Sequence, residues 1–136
     1  MNRKNKAGFT LVELMVVAII VAILAAVAIP LMSGNTKRAM ATEAQAGCGT
    51  IKTALQVYKA ELGGFPSATF TCDNPPTKLT IKPGDLDGKY FKSDGYEVVS
   101  TISNWTITAT GYTNAADGKE VILKSDNSDF SGSLFD

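Results

Sequence analysis

The chain has 136 residues, and its Lys+Arg 13 balance its Asp+Glu 13, so the formal net charge at pH 7 is zero. This length allows one modest globular domain, and the balanced charge argues against nucleic acid or another strongly charged partner. Histidine is absent, which removes the commonest general base and metal ligand. We therefore expect a protein that is not an enzyme and holds neither a metal nor a cofactor.

The N-terminal segment has the composition of a membrane-crossing helix. Arg3, Lys4 and Lys6 form a short basic leader, and the stretch from Leu14 to Met32 then carries no charged side chain. As a helix this stretch would reach roughly 28 Å, close to the ~30 Å thickness of the hydrocarbon core of a bilayer. The positive-inside rule keeps the basic leader in the cytoplasm and places the C-terminal part outside.

Two simpler interpretations of the apolar stretch stay open from composition alone. It is either a plain membrane anchor or a secretory signal peptide with a small-residue cleavage site at Ala26-Val27-Ala28. Neither explains Glu13, a carboxylate at the start of the stretch. An acidic side chain near a bilayer centre costs roughly 2.5 to 3.5 kcal/mol and usually has a partner. Without a partner, Glu13 would have to snorkel to the headgroups.

The motif around Glu13 resembles that of the type IV prepilins and the related type II secretion pseudopilins. It reads Lys6-Ala7-Gly8-Phe9-Thr10-Leu11-Val12-Glu13. The resemblance implies that a membrane peptidase cleaves between Gly8 and Phe9, that Phe9 is then N-methylated, and that the apolar stretch is kept. Cleavage leaves a cationic α-amine on Phe9, which can lie beside Glu13 of a neighbouring copy in a stack of parallel helices. We therefore expect Glu13 to set the register of assembly.

Pro30 lies late in the apolar stretch, where it removes one backbone hydrogen bond. This predicts a kink, a locally opened helix or the end of the helix, and Gly34 with Asn35 extends the weak segment. The resemblance implies a role for Pro30 in assembly, because the corresponding region is similar to a melted, extended segment in assembled filaments of the family.

Beyond Thr36 the apolar residues become one-sided, spaced alternately three and four apart, which predicts an amphipathic helix. Gly63-Gly64 ends it, since glycine readily takes the left-handed conformation at a helix C-terminus. Read without interruption, the helix runs from Phe9 to Leu62, roughly 80 Å at the standard rise. The predicted buried stripe consists of Ala41, Ala44, Cys48, Ile51, Leu55, Tyr58 and Leu62.

The remainder of the chain predicts a small antiparallel sheet laid on that helical face, giving an α+β, pilin-like fold. Pro75-Pro76 and Pro83-Gly84 mark turns, with a short strand expected between them at Lys78–Lys82. The stronger strand signals are Tyr96–Ser103, Trp105–Thr110 and Val121–Lys124.

Four segments follow from these patterns. Residues 1–8 are the basic leader peptide, and 9–33 form the transmembrane and filament-core helix. Residues 34–62 are the amphipathic half of the same helix, and 63–136 form the globular β-sheet head.

The two cysteines, Cys48 on the helical stripe and Cys72 in the loop after it, suit one disulfide in an oxidising compartment. Closing about 25 residues would add roughly 3 kcal/mol in the chain-entropy model. Two independent buried thiols are the alternative. The pair departs from the usual pilin pattern, in which the cysteines bracket a loop toward the C-terminus, so no adhesion role of such a loop is carried over.

Two pairs of aspartates, Asp85 with Asp87 and Asp126 with Asp129, invite comparison with the calcium-binding loop of the major pseudopilins. Their spacing is not that of an EF-hand and no glutamate follows at the required distance, so we interpret them as turn and tail residues. Asn104-Trp105-Thr106 matches a glycosylation sequon but falls at a predicted turn, and three-residue matches arise readily by chance.

Together these patterns predict a structural subunit of a type IV pilus, held as a precursor in the bacterial inner membrane and then assembled into an extracellular filament of like copies. The resemblance implies three partners: the prepilin peptidase, other pilin copies and the ATP-driven assembly machinery. A minor pilin or a type II secretion pseudopilin is the nearest alternative, and a secreted binding protein is a more distant one. Motility, adhesion, DNA uptake and electron transfer all remain open as the filament's task.

Overall fold

The computed structural model describes residues 8–113, 115–127 and 129–135. Within them lie one long helix, one short 3-10 turn and four strands, which is an α+β architecture. Helix α1 spans Leu11–Leu62 and the 3-10 turn spans Ser93–Gly95. The strands are β1 Ala68–Thr71, β2 Tyr96–Ser100, β3 Trp105–Thr110 and β4 Glu120–Lys124. The chain divides into two compact units after Thr36, and each is described by itself.

The first unit contains a short extended segment and the part of α1 up to Thr36. Its apolar side chains are exposed: Leu11 is 72% exposed and Ile29 is 69% exposed. By length and composition α1 is able to cross a membrane, and none of the apolar window that qualifies it is buried. Exposed apolar surface of this extent marks a membrane or protein contact.

The second unit builds its core between the later part of α1 and the sheet. The helix contributes a buried face made of small and apolar residues, which are Met40, Ala44, Gly47, Cys48, Ile51, Ala54 and Leu55. At position 47 of this face a side chain is disfavoured, because a Cβ on Gly47 would clash with the phenol ring of Tyr96. The close approach lets the sheet lie directly on the helix.

This buried face corrects the predicted stripe at its ends. Ala41 and Tyr58 are only partly buried, and Leu62 is wrongly predicted because it is 44% exposed. Phe65, which follows the helix, is buried instead. Met40 takes the N-terminal end of the stripe, one residue before the predicted Ala41.

Both ends of α1 have local causes. The helix begins at Leu11, two residues later than the predicted Phe9, because Thr10 caps it. It ends at Leu62 as predicted: Gly63 adopts φ 83° and its N–H donates to the carbonyl oxygen of Lys59 at 2.9 Å. That left-handed residue is the usual helix stop.

The sheet is a four-stranded antiparallel meander in the order β1-β2-β3-β4. Ile107 at its centre pairs with Val98 of β2 and with Leu123 of β4, and all three are buried. Along β3 the apolar residues are buried and the threonines between them are half-buried, as their alternation predicts. The C-terminal tail adds an antiparallel bridge between Ser131 and Ile122.

The strand predicted at Lys78–Lys82 is wrong. These residues form turns and bends, closed in part by the Leu79 N–H donating to the carbonyl oxygen of Pro76 at 2.8 Å. Leu79 and Ile81 are nevertheless buried, so their alternation reflects a loop that inserts two side chains into the core. The edge position belongs to β1, whose Phe70 pairs with Val98.

Strand β2 is also shorter than predicted and stops at Ser100 rather than Ser103. The Thr101 N–H donates to the carbonyl oxygen of Asn104 at 2.8 Å, and this turn reverses the chain into β3.

A carboxylate on α1 holds the long loop between β1 and β2. Glu43 Oε1 accepts from the N–H groups of Tyr90 and Phe91 at 2.7 and 2.8 Å, and Oε2 accepts from Lys89 N–H at 3.2 Å. A Cβ at Gly88 would clash with this carboxylate, so a larger residue there would displace the Glu43 side chain. Glu43 lies outside the predicted buried stripe, and the sequence pattern gives no sign of this contact.

Candidate functional site

The predicted cleavage point lies outside any regular element. Gly8 and Phe9 are exposed and non-helical, and Phe9 is 84% exposed. Among the described residues, a Cβ built on Gly8 meets nothing within 4 Å, so their packing does not require glycine there. A requirement for glycine would have to come from another molecule that binds this segment.

Thr10 and Glu13 form a reciprocal cap at the start of α1. Glu13 Oε2 accepts from Thr10 N–H at 2.8 Å and from Thr10 Oγ1 at 2.9 Å, while Glu13 N–H donates to Thr10 Oγ1 at 3.2 Å. This is a capping box, in which the N-cap and third helical residues satisfy each other's backbone donors. The Thr-x-x-Glu spacing was visible in the sequence, but its capping role was missed.

Glu13 therefore has a local task, yet its surroundings are apolar. It lines a depression of about 500 Å³ together with apolar neighbours, which are Phe9, Val12, Leu14, Val16 and Val17. Within the described residues, its hydrogen bonds all use Oε2. The other carboxylate oxygen, Oε1, makes none of these bonds, so one lone-pair face of the carboxylate is not used by the cap.

Pro30 lies inside α1, so the alternative that the helix ends there is wrong. Proline has no amide hydrogen, and the carbonyl oxygen of Ala26 consequently lacks its i+4 donor. The adjoining Ile29 and Leu31 are exposed. The helix accommodates this defect within the first unit, and the proposed role of Pro30 in assembly stays a prediction.

Cys48 and Cys72 are both buried in the second unit. Burial raises the pKa of the Cys48 thiol to about 12, and the nearby Cys72 adds a smaller Coulomb contribution in the same direction. Burial likewise raises the pKa of the Cys72 thiol to about 12. The disulfide between Cys48 and Cys72 stays a prediction.

The aspartates considered for calcium serve turns or lie at the surface. Asp85 Oδ2 accepts from Lys82 N–H at 2.9 Å, and Asp87 Oδ1 accepts from Ser93 N–H at 2.9 Å. The backbone hydrogen bond from Ser93, followed by its side-chain hydrogen bond, lowers the pKa of Asp87. In the part of the chain that the structure describes, no group of three His, Cys, Asp or Glu side chains is placed to hold a metal ion.

The similarity to known proteins extends beyond the N-terminal motif into the rest of the chain. Residues 3–29 match the family described as the prokaryotic N-terminal methylation motif. A type IV major pilin protein of Neisseria gonorrhoeae is 37% identical over 90% of this chain and 70% of the relative. A fimbrial protein of Neisseria meningitidis is 36% identical over 90% of this chain and 67% of the relative.

A second group of relatives belongs to secretion systems. The type II secretion system core protein G of Pseudomonas aeruginosa is 33% identical over 88% of this chain and 90% of its own length. Both groups therefore align across the apolar helix and well into the second unit.

Proposed function

The chain belongs to the type IV pilin family, which includes the type II secretion pseudopilins, and from this membership we propose that it is the structural subunit of a type IV pilus. The observation that carries the proposal is the exposed apolar part of α1, most of which lies within residues 3–29, the region that matches the N-terminal methylation motif. A folded protein leaves such a surface open only where a membrane or other copies cover it. A filament whose core is made of these helices provides that cover.

Processing is the first step of the proposal. A prepilin peptidase cleaves between Gly8 and Phe9, and Phe9 becomes the N-methylated terminus. Two observations support this assignment: the bond lies in an exposed, non-helical segment, and a Cβ at Gly8 would meet none of the described residues within 4 Å. Cleavage at this point removes only the basic leader and keeps the apolar helix.

Assembly is the second step. Cleavage creates a cationic amine on Phe9, and Glu13 of a neighbouring copy is its counter-charge. The pair is strong because little water screens it inside an apolar filament core. Glu13 can cap its own helix through Oε2 and still offer Oε1 to a neighbour, so the capping box and the intermolecular pair are compatible.

Each segment of the chain has its own role in this proposal. Residues 1–8 are the removed leader; 9–33 cross the inner membrane before assembly and form the filament core afterwards. Residues 34–62 connect this core to the head, and 63–136 form the head. The chain carries out no chemistry itself, and its partners are like copies, the prepilin peptidase and the ATP-driven pilus assembly machinery. Pro30 eases local opening of the helix during assembly because one backbone hydrogen bond is already missing there.

A disulfide between Cys48 and Cys72 completes the proposal for the head. Export carries this part of the chain into an oxidising compartment, where two neighbouring buried thiols would be joined. The bond would tie the end of β1 to α1 across the core.

A pseudopilin is the second candidate, because the core protein G of Pseudomonas aeruginosa aligns with 88% of this chain and with 90% of its own length. The two candidates share the N-terminal mechanism and differ in the machine that uses the subunit.

Electron microscopy of cells with and without the chain tests the main proposal. We expect surface filaments on the parent strain, their loss on deletion and their return with the restored chain, with this chain as the main component of sheared filaments. Normal filaments on the deletion strain, combined with a defect in protein secretion, would overturn the pilus assignment in favour of the pseudopilin.

A further inference from the structure

The second unit carries a surface cluster of two lysines and two tyrosines, of which Tyr90 also packs in part against the core. One loop holds Lys89, Tyr90 and Lys92, and another holds Tyr112. Tyr112 N–H donates to the carbonyl oxygen of Tyr90 at 3.1 Å, which joins the two loops. We name these four residues the basic-aromatic cluster.

The cluster presents cations against aromatic rings at the surface. Lys92 Nζ lies 4.4 Å from the ring centroid of Tyr112, and Lys89 Nζ lies 5.2 Å from that of Tyr90. Both lysines are exposed, and Tyr112 is 46% exposed. A depression of about 530 Å³ opens beside Lys89 and the two rings. The cluster is therefore open to a partner.

Neither ammonium group is neutralised by a close ion pair. Among the described residues, no carboxylate lies within the 4.0 Å of an ion pair from Lys89 or Lys92. Lys92 contributes to the lowered pKa of Asp87, but hydrogen bonds from Ser93 lower that pKa more. Two cations held over ring faces suit an anionic partner that brings carboxylates into the depression.

This chain itself carries an acidic surface of the required kind. Asp126 and Asp129 are both exposed in the turn after β4, and Asp129 N–H donates to Asn127 Oδ1 at 2.9 Å. We name Asp126 and Asp129 the acidic turn.

The two surfaces lie at opposite ends of the sheet. Ser125 N–H donates to the carbonyl oxygen of Trp105, so the acidic turn lies beside the first residue of β3. Tyr112, in contrast, lies just beyond Gly111, which follows Thr110, the last residue of the same strand. Six residues of strand separate them, or roughly 20 Å at the usual rise. Lysine and aspartate side chains cannot meet across that distance within one copy.

We propose that the basic-aromatic cluster of one copy binds the acidic turn of a second copy, as a contact between heads in the pilus. This inference rests on the proposed filament function and names a surface through which copies touch outside the helical core. Because the two surfaces differ, the contact is heterologous, and repetition of such a contact builds an open helical assembly rather than a closed dimer. Opposite charges brought together in this way give register and exclude wrong orientations.

Zero-length carbodiimide cross-linking of sheared filaments tests the contact directly. The reagent joins an amine to a carboxylate only where the two touch. We expect cross-linked peptides that join Lys89 or Lys92 to Asp126 or Asp129 in filaments. The same peptides should be missing from the dispersed full-length chain in detergent, because the two surfaces of one copy are too far apart.

Charge reversal provides the second arm. The pair Lys89→Glu with Lys92→Glu, and separately Asp126→Lys with Asp129→Lys, should each lower the yield of sheared filaments about tenfold, as expected for loss of about 1.4 kcal/mol. Combining all four changes should restore the yield to within about threefold of the parent. Lys78→Glu and Asp73→Lys, at exposed positions outside both surfaces, are matched controls and should leave the yield unchanged.

The outcomes separate this contact from the filament itself. Normal filaments that give no such cross-linked peptide, or full yields from both reversed pairs, would overturn the contact and leave the pilus assignment standing. Reversed pairs that fail singly and also fail together would overturn the charge pairing in the same way. If the unaltered chain forms no filament, the pilus assignment and the contact both fall.

Discussion

The two units of the chain place the same kinds of side chain in opposite surroundings. In the first unit Ile23 and Ile29 are 62% and 69% exposed, whereas in the second unit Ile51 and Ile107 are fully buried. The second unit buries its core residues between the later part of α1, the sheet and loops. Among the described residues of the first unit, the apolar side chains have no comparable cover.

This difference shows which neighbours determine the effect of a substitution at each residue. In the second unit a substitution is felt through the fold, because neighbours from the same chain surround it. In the proposed function the neighbours of the first unit belong to a membrane or to other copies, so a substitution there should leave folding unchanged and alter processing or assembly. The variants below test that separation.

The largest effect is expected from Glu13→Val in the first unit. Its loss would leave the neighbouring Phe9 amine without a counter-charge in the filament core, at a cost of about 3 to 5 kcal/mol per contact. We expect filaments to be abolished or sharply reduced, while membrane insertion is unchanged or improved. Electron microscopy and membrane fractionation measure the two properties.

A matched variant separates the charge of Glu13 from its cap. Glu13→Gln keeps an acceptor for Thr10 N–H, since glutamine also serves in a capping box. It should fail to form filaments as Glu13→Val does, whereas Thr10→Ala, which loses the cap at a cost of about 1 kcal/mol, should still form them. Normal filaments from Glu13→Val would refute the charge-pairing role.

Gly8→Leu should block processing without disturbing the fold. Because a Cβ at Gly8 meets none of the described residues within 4 Å, we expect the effect of leucine to arise in the peptidase. We expect the uncut precursor to accumulate in the membrane, as seen by immunoblot and intact mass. Gly34→Leu is the matched control, because its Cβ also meets nothing within 4 Å and it lies outside the motif. Mature-sized subunits from Gly8→Leu would remove the peptidase assignment.

A pair of identical substitutions compares the units directly. Ile107→Ala removes a fully buried side chain and should lower the free energy of unfolding by about 2 to 5 kcal/mol. Ile23→Ala should change it by less than about 0.5 kcal/mol, because that residue is 62% exposed within its own chain. Chemical denaturation of the detergent-solubilised chain, followed through Trp105 fluorescence, measures both. Equal losses would erase the distinction between the units.

Glu43→Ala should have a smaller effect on the second unit. It leaves three backbone N–H groups without their acceptor, and we expect a loss of about 1 to 3 kcal/mol in unfolding free energy. Hydrogen exchange at Lys89, Tyr90 and Phe91 should quicken while the centre of β3 stays protected. Unchanged exchange at those three amides would contradict the role given to Glu43.

The sequence predicted best those features that depend on local pattern. The end of α1 at Leu62 and the whole of β3 follow from a glycine stop and a strict alternation, and both are confirmed. The family was likewise visible in the Gly8 to Glu13 motif. Each of these signals lies within a few consecutive residues.

The features that sequence reasoning missed depend on contacts between distant segments. Leu79 and Ile81 alternate with polar residues as in a strand, but their side chains enter the core from a loop. The edge strand is β1, which contains Phe70. The hydrogen bonds from the loop to the Glu43 carboxylate join residues more than forty positions apart. Nothing local distinguishes Glu43 from a solvated helical glutamate, so only the folded arrangement reveals its three donors.

The N-terminal residue of the subunit in purified filaments tests the central claim most directly, namely that the exposed apolar helix survives processing. Intact mass and N-terminal sequencing of sheared filaments should give Phe9, with the added mass of one methyl group on its amine. A mature chain that begins at Ile29, after the small-residue site, would contradict the account, because the apolar helix would then have been removed rather than buried among its copies.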